Sequence, residues 1–380
     1  MYFKWINNNI ITIYFILFTF LINLSCSKIH KRKDNSTAMD SFLNQDIHVF
    51  YYAWYGNPKR DQNYRHWNHK VMPHWSDSTW NHLPPYSGNG DIGANFYPLL
   101  GTYSSNDSIL ISEHMRMIIS AGIGTISLSW WGEGSFEDLN VKLILDAAAK
   151  VNLKVNFHLE PIPNRTAYST VKMIKYIIDN YGNHKAFYKY NDKALFYVYD
   201  SYLTSKKEWS QILTPNTSET IRGTKYDATI IGLWVNKDEE SFFLESGFDG
   251  FYTYFASNGF TYGASIDNWE YLSNWAKEKN KIFIPCVGPG YKDTRVRPWN
   301  SKNSKKREKG LYFDKMFKSA IEKEPNIIGI TSFNEWHEGT QIEPAISKEN
   351  DIYRYEDYSP LSPDYYLKRT RHWSKMFFVK

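Results

Sequence analysis

The sequence predicts an α/β fold, a (β/α)8 TIM barrel forming a single domain with long βα loops. Two observations carry this expectation. Eight short runs rich in Val, Ile, Phe and Tyr alternate with segments of helical periodicity, and the runs are apolar nearly throughout, as strands buried on both faces are. No Gly-rich phosphate turn follows the first run, so a doubly wound open sheet, which would also alternate, fits less well. The 380 residues are within the size of one large barrel.

The predicted strands are "DIHVFYYAWY" (46–55), "GTISLSWW" (124–131), "KVNFHLE" (154–160) and "ALFYVYD" (194–200). They continue with "ATIIGLWV" (228–235), "GFDGFYTYF" (247–255), "KIFIPCVGPG" (281–290) and "NIIGITSFNE" (326–335). Between them, "DSILISEHMRMIISAG", "LNVKLILDAAAKV", "TVKMIKYIID", "DNWEYLSNWAKEKN" and "FDKMFKSAIEK" space apolar residues three and four apart, as amphipathic helices do. Two connections are long, residues 56–106 and 288–310, and both are rich in Trp, Tyr, His and Pro. Such loops in a compact domain are usually functional or disordered, and this aromatic content argues against disorder.

The first 26 residues have a lysine-bearing start, the apolar run Ile10 to Ile22, and then "NLSC". That run is short for a membrane span and fits a secretory signal. The expected organisation is a signal peptide over 1–25, a lipidated N-terminus at Cys26 with a polar tether over 26–44, and the barrel over 45–380. Asn23 departs from the aliphatic residue a lipoprotein signal prefers. A single-span anchor of a luminal enzyme is the rival, for which the run is brief. Either way the barrel is expected to be exported, facing the periplasm or cell surface, with the anchor its only membrane contact.

Composition excludes some classes. The net charge of +5 is spread along the chain apart from clusters at Lys28–Lys33 and Lys302–Lys309. Neither forms the basic stripe of a nucleic-acid binder. Cys286 sits in an apolar run and reads as a buried, inert thiol. No Cys/His set has zinc-site spacing, so neither a metal nor a cofactor is expected. Aromatics reach 17%, with 14 Trp and 29 Tyr. Flat faces with polar edges suit both large cores and sugar clefts.

The predicted strand ends converge on chemistry-bearing residues: "YYAWYGN", "SWWGEG", "HLEPIPNR", "YVYDSY", "YTYFASNGFTYG", "GPGYKDTRVRP" and "NEWHEGTQIE". In a barrel of this type the active site lies at those ends. Glycoside hydrolysis needs an acid for the leaving oxygen and a second carboxylate. Glu160, Asp200, Glu335, Glu338 and Glu343 are the candidates at strand ends. Glu335 and Glu338, three apart, are either a catalytic pair or one catalytic group beside a helix-start cap. His337 between them could be a base, a metal ligand or, more commonly, a hydrogen-bonding spacer.

The blocks "FYYAWYGNP", "HWNH", "DIGANFYPLLGTYSS", "LSWW", "FHLEP", "GFDGFYTYFASNGFTYG", "FIPCVGPGYKDTRVRPWN" and "SFNEWHEGTQIEP" closely resemble glycoside hydrolase family 99, the endo-α-1,2-mannosidases and endo-α-1,2-mannanases. The matches run in order from about residue 48 to residue 344. The resemblance implies a (β/α)8 barrel and endo-cleavage of an α-1,2-mannosidic bond with retention and no metal. It implies that Glu335 deprotonates the substrate's 2-hydroxyl, giving a 1,2-anhydro sugar, and that Glu338 is the general acid and then the base for water. Tyr52, Glu160, Tyr199, Tyr202, Tyr254 and Arg297 match sugar-contact positions, and His66 and His69 the leaving-group side. Trp131 stands where animal members carry Tyr and accept glucose, which favours α-mannan or mannose-rich oligosaccharide here. A glucose-accepting endo-α-1,2-mannosidase of N-glycan processing and a non-catalytic mannan-binding lipoprotein are the alternatives.

Overall fold

The computed structural model describes residues 42–74 and 84–379. The signal segment, Cys26 and most of the expected tether lie outside these residues. The folded part begins slightly earlier than the expected boundary of 45. Phe42 packs edge-on against Phe378, with ring centroids 5.1 Å apart, and Asn44 already opens the first strand.

Eight parallel strand positions make the barrel. They are β1 (Asn44–Tyr51), β2 (Ile123–Trp130), β3 (Lys154–Leu159) and β4 (Lys193–Val198), then β5 (Ala228–Leu233), β6 (Gly250–Tyr252), β7 (Ile282–Ile284 with Cys286–Val287) and β8 (Ile328–Ile330). Each pairs with its neighbour in sequence, and β8 pairs with β1 through Ile47 and Ile328, which closes the sheet on itself. β7 is interrupted at Pro285. A proline has no N–H to give to the ladder, so Ile282–Ile284 pairs with β6 and Cys286–Val287 pairs with β8. All eight residues of β2 are buried, as expected of a strand covered on both faces.

Helices follow the strands: α1 (Ser108–Ser120), α2 (Phe136–Lys150), α3 (Ala167–Tyr181), α4 (Lys206–Leu213), α5 (Glu240–Glu245), α6 (Trp269–Glu278), α7 (Leu311–Ile321) and α8 (Tyr365–Phe378). Their starts are chemically marked. Asp107 and Ser135 cap α1 and α2, and reciprocal capping boxes, Thr166 with Ser169 and Ser205 with Glu208, open α3 and α4. Each such box satisfies two backbone N–H groups that the helix leaves without partners.

The barrel interior explains part of the tyrosine excess. His48 Nδ1 pairs with Tyr197 Oη at 2.8 Å, and His158 Nε2 with Tyr252 Oη at 2.6 Å. β1 and β4 are not neighbours in the sheet, nor are β3 and β6, so both bonds span the interior. Each bond gives one ring nitrogen and one hydroxyl a partner that burial would otherwise deny them. Cys286 is fully buried, and burial pushes its thiol up to about 12, so it stays protonated and inert as expected.

Candidate active site

The cleft lies at the C-terminal ends of the strands, and chain position accounts for its lining. Tyr52, Trp131, Glu160 and Tyr199 each come one residue after the last residue of β1 to β4. Tyr254 follows β6 by two, Arg297 comes from the loop after β7, and Glu335 and Glu338 come from the turn after β8. These eight, with His66 and His69 from the long loop after β1, line a single cleft of about 240 Å³.

The turn carrying the two glutamates is held rigidly. The Asn334 side chain accepts from the Tyr52 N–H at 2.8 Å and donates to the Tyr52 carbonyl at 2.9 Å. It thereby extends the β8–β1 ladder where the backbones part. Tyr55 Oη donates to the Asn334 carbonyl at 3.0 Å, and the Glu335 N–H donates to Ser332 Oγ at 2.7 Å. Glu343 is the third acidic residue of this stretch. It is fully buried, receiving Tyr103 Oη at 2.7 Å, Trp336 Nε1 at 2.9 Å and His114 Nε2 at 3.2 Å. Tyr103 belongs to the loop after β1 and His114 to α1, so Glu343 ties the turn to both. It is a brace and leaves the set of candidate acids.

Glu335 and Glu338 differ in their partners. One Glu335 oxygen accepts the His337 N–H at 3.0 Å. Burial, and then the Glu338 carboxylate, raise Glu335 well above the usual carboxylate range, with the His337 amide and Arg297 pulling the other way. Burial raises Glu338 too, but Arg297 Nη1 stands 3.3 Å from its Oε1 and opposes the shift. Arg297 is itself held by Asp293 at 3.3 Å, a buried carboxylate that also receives Tyr291 Oη and Asn300 Nδ2, each at 2.8 Å. Two buried carboxylates sharing one cleft with a single arginine favour a state in which the pair retains one proton.

Opposite this turn, Ser129 Oγ donates to Glu160 Oε1 at 2.7 Å, and Trp131 Nε1 donates to the same hydroxyl at 3.2 Å. His158 Nδ1 lies 2.9 Å from Glu160 Oε1 but out of line for a hydrogen bond. Tyr52 and Tyr254 are hydrogen-bonded through their hydroxyls. Burial, first of all, raises both phenols well above their ordinary value, so they remain protonated donors.

The histidine side is only partly legible in the sequence. His66 stacks on Trp54 with centroids 4.2 Å apart and planes at 7°, and burial, with His69 and Arg65 nearby, lowers it to about 3. His337 is buried, lines the cleft, and donates Nδ1–H to the Gly93 carbonyl at 2.8 Å. Burial, with His69 and His66 beside it, holds His337 well below its ordinary value, so it is a neutral imidazole. Among the described residues no group of three or more His, Cys, Asp or Glu side chains is arranged to hold a metal ion. Trp54 and His158 also line the cleft. Sequence pattern does not single them out, although both lie within the predicted strands whose ends mark the site.

Tyr202 is the expected contact that the structure does not bring in. It is 37% exposed, its hydroxyl donates to Asp200 Oδ1 at 3.1 Å, and it does not line the cleft. The chain turns sharply at Asp200, whose φ is +48°, and that turn carries Tyr202 out to the rim.

Comparison with known proteins points the same way. The family model described as Glycosyl hydrolase family 99 matches residues 42–379. The chain is 48% identical over 348 residues to the glycoprotein endo-alpha-1,2-mannosidase of Rattus norvegicus, covering 88% of this chain and 75% of that one. It is 45% identical over 349 residues to the glycoprotein endo-alpha-1,2-mannosidase-like protein of Homo sapiens, covering 87% and 76%. Among solved structures, the GH99 endo-alpha-mannosidase from Bacteroides thetaiotaomicron superposes with a TM-score of 0.87 at 48% identity, covering 89% of this chain and 98% of that one.

Proposed function

The chain belongs to glycosyl hydrolase family 99 and is a glycoside hydrolase, and from that premise we propose retaining, endo-acting cleavage of internal α-1,2-mannosidic bonds in α-mannan or high-mannose glycans. The observation that carries this is the placement of Glu335 and Glu338 in one cleft, with Arg297 paired to Glu338 and not to Glu335.

In an α-mannoside, O2 is axial and anti to the leaving group at C1. Glu335 as a carboxylate removes the O2 proton, O2 attacks C1 from the rear, and the C1–O bond to the leaving sugar breaks. Glu338 gives its proton to the departing oxygen. Water then attacks C1 and opens the 1,2-anhydro ring. Glu338 takes the water proton and Glu335 returns its proton to O2. Two inversions at C1 give net retention. The pair carries one proton throughout, which is the charge state that burial and Arg297 favour. Without substrate, Arg297 biases that proton towards Glu335, so the bound sugar must shift it to Glu338 before the first step. The protonated phenols of Tyr52 and Tyr254 and the neutral imidazoles supply uncharged hydrogen-bonding groups for sugar hydroxyls.

Trp131 supports mannose over glucose in the sugar beyond the cleaved unit. Its only polar side-chain atom is occupied by Ser129 Oγ, so it presents an apolar wall. The test is product analysis on Man-α-1,3-Man-α-1,2-Man beside its Glc-α-1,3 counterpart. The expected result is release of the intact Man-α-1,3-Man disaccharide and faster cleavage of the mannose substrate. Removal of the non-reducing mannose to leave Man-α-1,2-Man would refute endo action, and faster cleavage of the glucose substrate would assign the glucose-accepting reading.

The proposal extends to an exported protein anchored by lipid at Cys26, supported by the apolar run Ile10 to Ile22 and the "NLSC" that follows. Among the described residues no helix is long and apolar enough to cross a membrane. Cys26→Ser should move the protein from the membrane to the soluble fraction of cells, and an unchanged membrane fraction would count against lipidation.

A further inference from the structure

The cleft of about 240 Å³ is smaller than the roughly 300–1,000 Å³ usual for sites that enclose a small ligand. An endo-acting enzyme must accept a chain that continues past the bond it cuts. Sugars of a polymeric substrate beyond those at the cleavage point therefore rest on the rim, outside the enclosed volume. A surface for them should be contiguous with the cleft, exposed, and flat enough to meet the C–H faces of a pyranose ring.

One part of the rim has these properties. Tyr199 and Tyr254 line the cleft, with ring centroids 5.2 Å apart. Phe255 touches both, at 6.3 Å from Tyr199 and 5.5 Å from Tyr254, and is only partly buried. Phe260 then packs edge-on against Phe255 at 5.1 Å, with planes at 71°, and remains 40% exposed. The rings thus run in unbroken contact from the cleft wall to solvent. A single exposed phenylalanine needs no explanation. Phe260 differs in being the outer end of this series.

The loop that presents Phe260 is fixed rather than draped. Ser257 Oγ donates to the Asn303 carbonyl at 2.7 Å, and the Asn258 N–H donates to Tyr312 Oη at 2.8 Å. The ring is therefore preorganised, and contact with a ligand costs little further ordering.

We propose that Phe260, backed by Phe255, forms an outer subsite that stacks a mannose ring of the polysaccharide substrate beyond the enclosed cleft. It is a substrate-positioning surface and takes no part in bond cleavage. The inference rests on the mannanase reading, deepening it by assigning the enzyme to long chains.

The experiment compares Phe260→Ala and Phe260→Trp with wild type on α-mannan polysaccharide and on Man-α-1,3-Man-α-1,2-Man. Phe260→Ala should lower kcat/KM on the polysaccharide by about three- to tenfold through KM, the scale of one aromatic contact. It should leave the trisaccharide unchanged, and Phe260→Trp should retain wild-type behaviour on both. Equal loss on both substrates, or no loss on either, would overturn the subsite. If wild type fails to cut the trisaccharide, the mannanase reading fails by itself, and retardation on a mannan-containing native gel decides the subsite. Weaker retardation of Phe260→Ala than of wild type supports it, and equal retardation overturns it.

Discussion

Replacing Glu338 by Gln should lower kcat on an unactivated mannan oligosaccharide by about 10³-fold, within the range general acid–base groups supply. The glutamine is isosteric and keeps a partner for Arg297, so the change removes the proton rather than the fold. The loss should shrink on a substrate whose leaving group is fluoride, because fluoride departs without protonation. Purified enzyme, the two substrates and initial rates are enough to read this contrast. Full activity of Glu338→Gln on the oligosaccharide would remove Glu338 from the acid role.

Glu335→Gln should show the opposite pattern, a loss of about 10³-fold or more that is the same for both leaving groups. O2 must be deprotonated whichever group departs, so better leaving ability cannot compensate. The substitution should also stabilise the protein at neutral pH. Glu335 is raised in the fold, chiefly by burial and then by Glu338. A carboxylate raised in this way contributes stability that is complete below its unfolded value, near pH 4.3, and is lost as the pH rises through the folded value. Removing it should raise Tm at pH 7 by about 2–4 °C, the scale expected for ~1 kcal/mol in a domain somewhat smaller than this one. That gain should disappear at pH 4. A lower Tm at pH 7 would mean that Glu335 is a structural brace, as Glu343 is.

Much of this site is legible in the sequence, for a physical reason. In a barrel the catalytic face is the set of residues just past each strand. Tyr52, Trp131, Glu160 and Tyr199 are marked simply by where Val/Ile/Phe-rich runs end. What resists reading depends on three-dimensional partners. Glu343 looks like Glu335 and Glu338 in sequence, and only its contacts with Tyr103, His114 and Trp336 assign it to bracing. Tyr202 sits three residues from Tyr199 but on the far side of a left-handed turn at Asp200. His337 reads as a spacer because nothing local signals that its ring reaches Gly93 and the cleft.

The fold shows the same division. The five helices with clear apolar periodicity are legible, whereas α4, α5 and α8 are not. α4 buries only Trp209, Ile212 and Leu213, and α5 is six residues long. α8 buries Thr370 and Ser374 beside Tyr366 and Leu367, so its inward face is half polar and its period is blurred. The break in β7 follows from Pro285, but the apolar run around it reads as one strand because Cys286 and Val287 rejoin the sheet immediately.

The most direct measurement of the central claim removes O2 from the reacting sugar. Man-α-1,3-Man-α-1,2-Man and its analogue lacking the 2-hydroxyl on the middle mannose are incubated with wild-type enzyme, and the products are resolved. Cleavage of the parent to the disaccharide with the analogue left intact is the result expected if Glu335 acts through O2. Cleavage of the analogue at a rate comparable to the parent would contradict it, and would return Glu335 to the role of a nucleophile acting directly on C1.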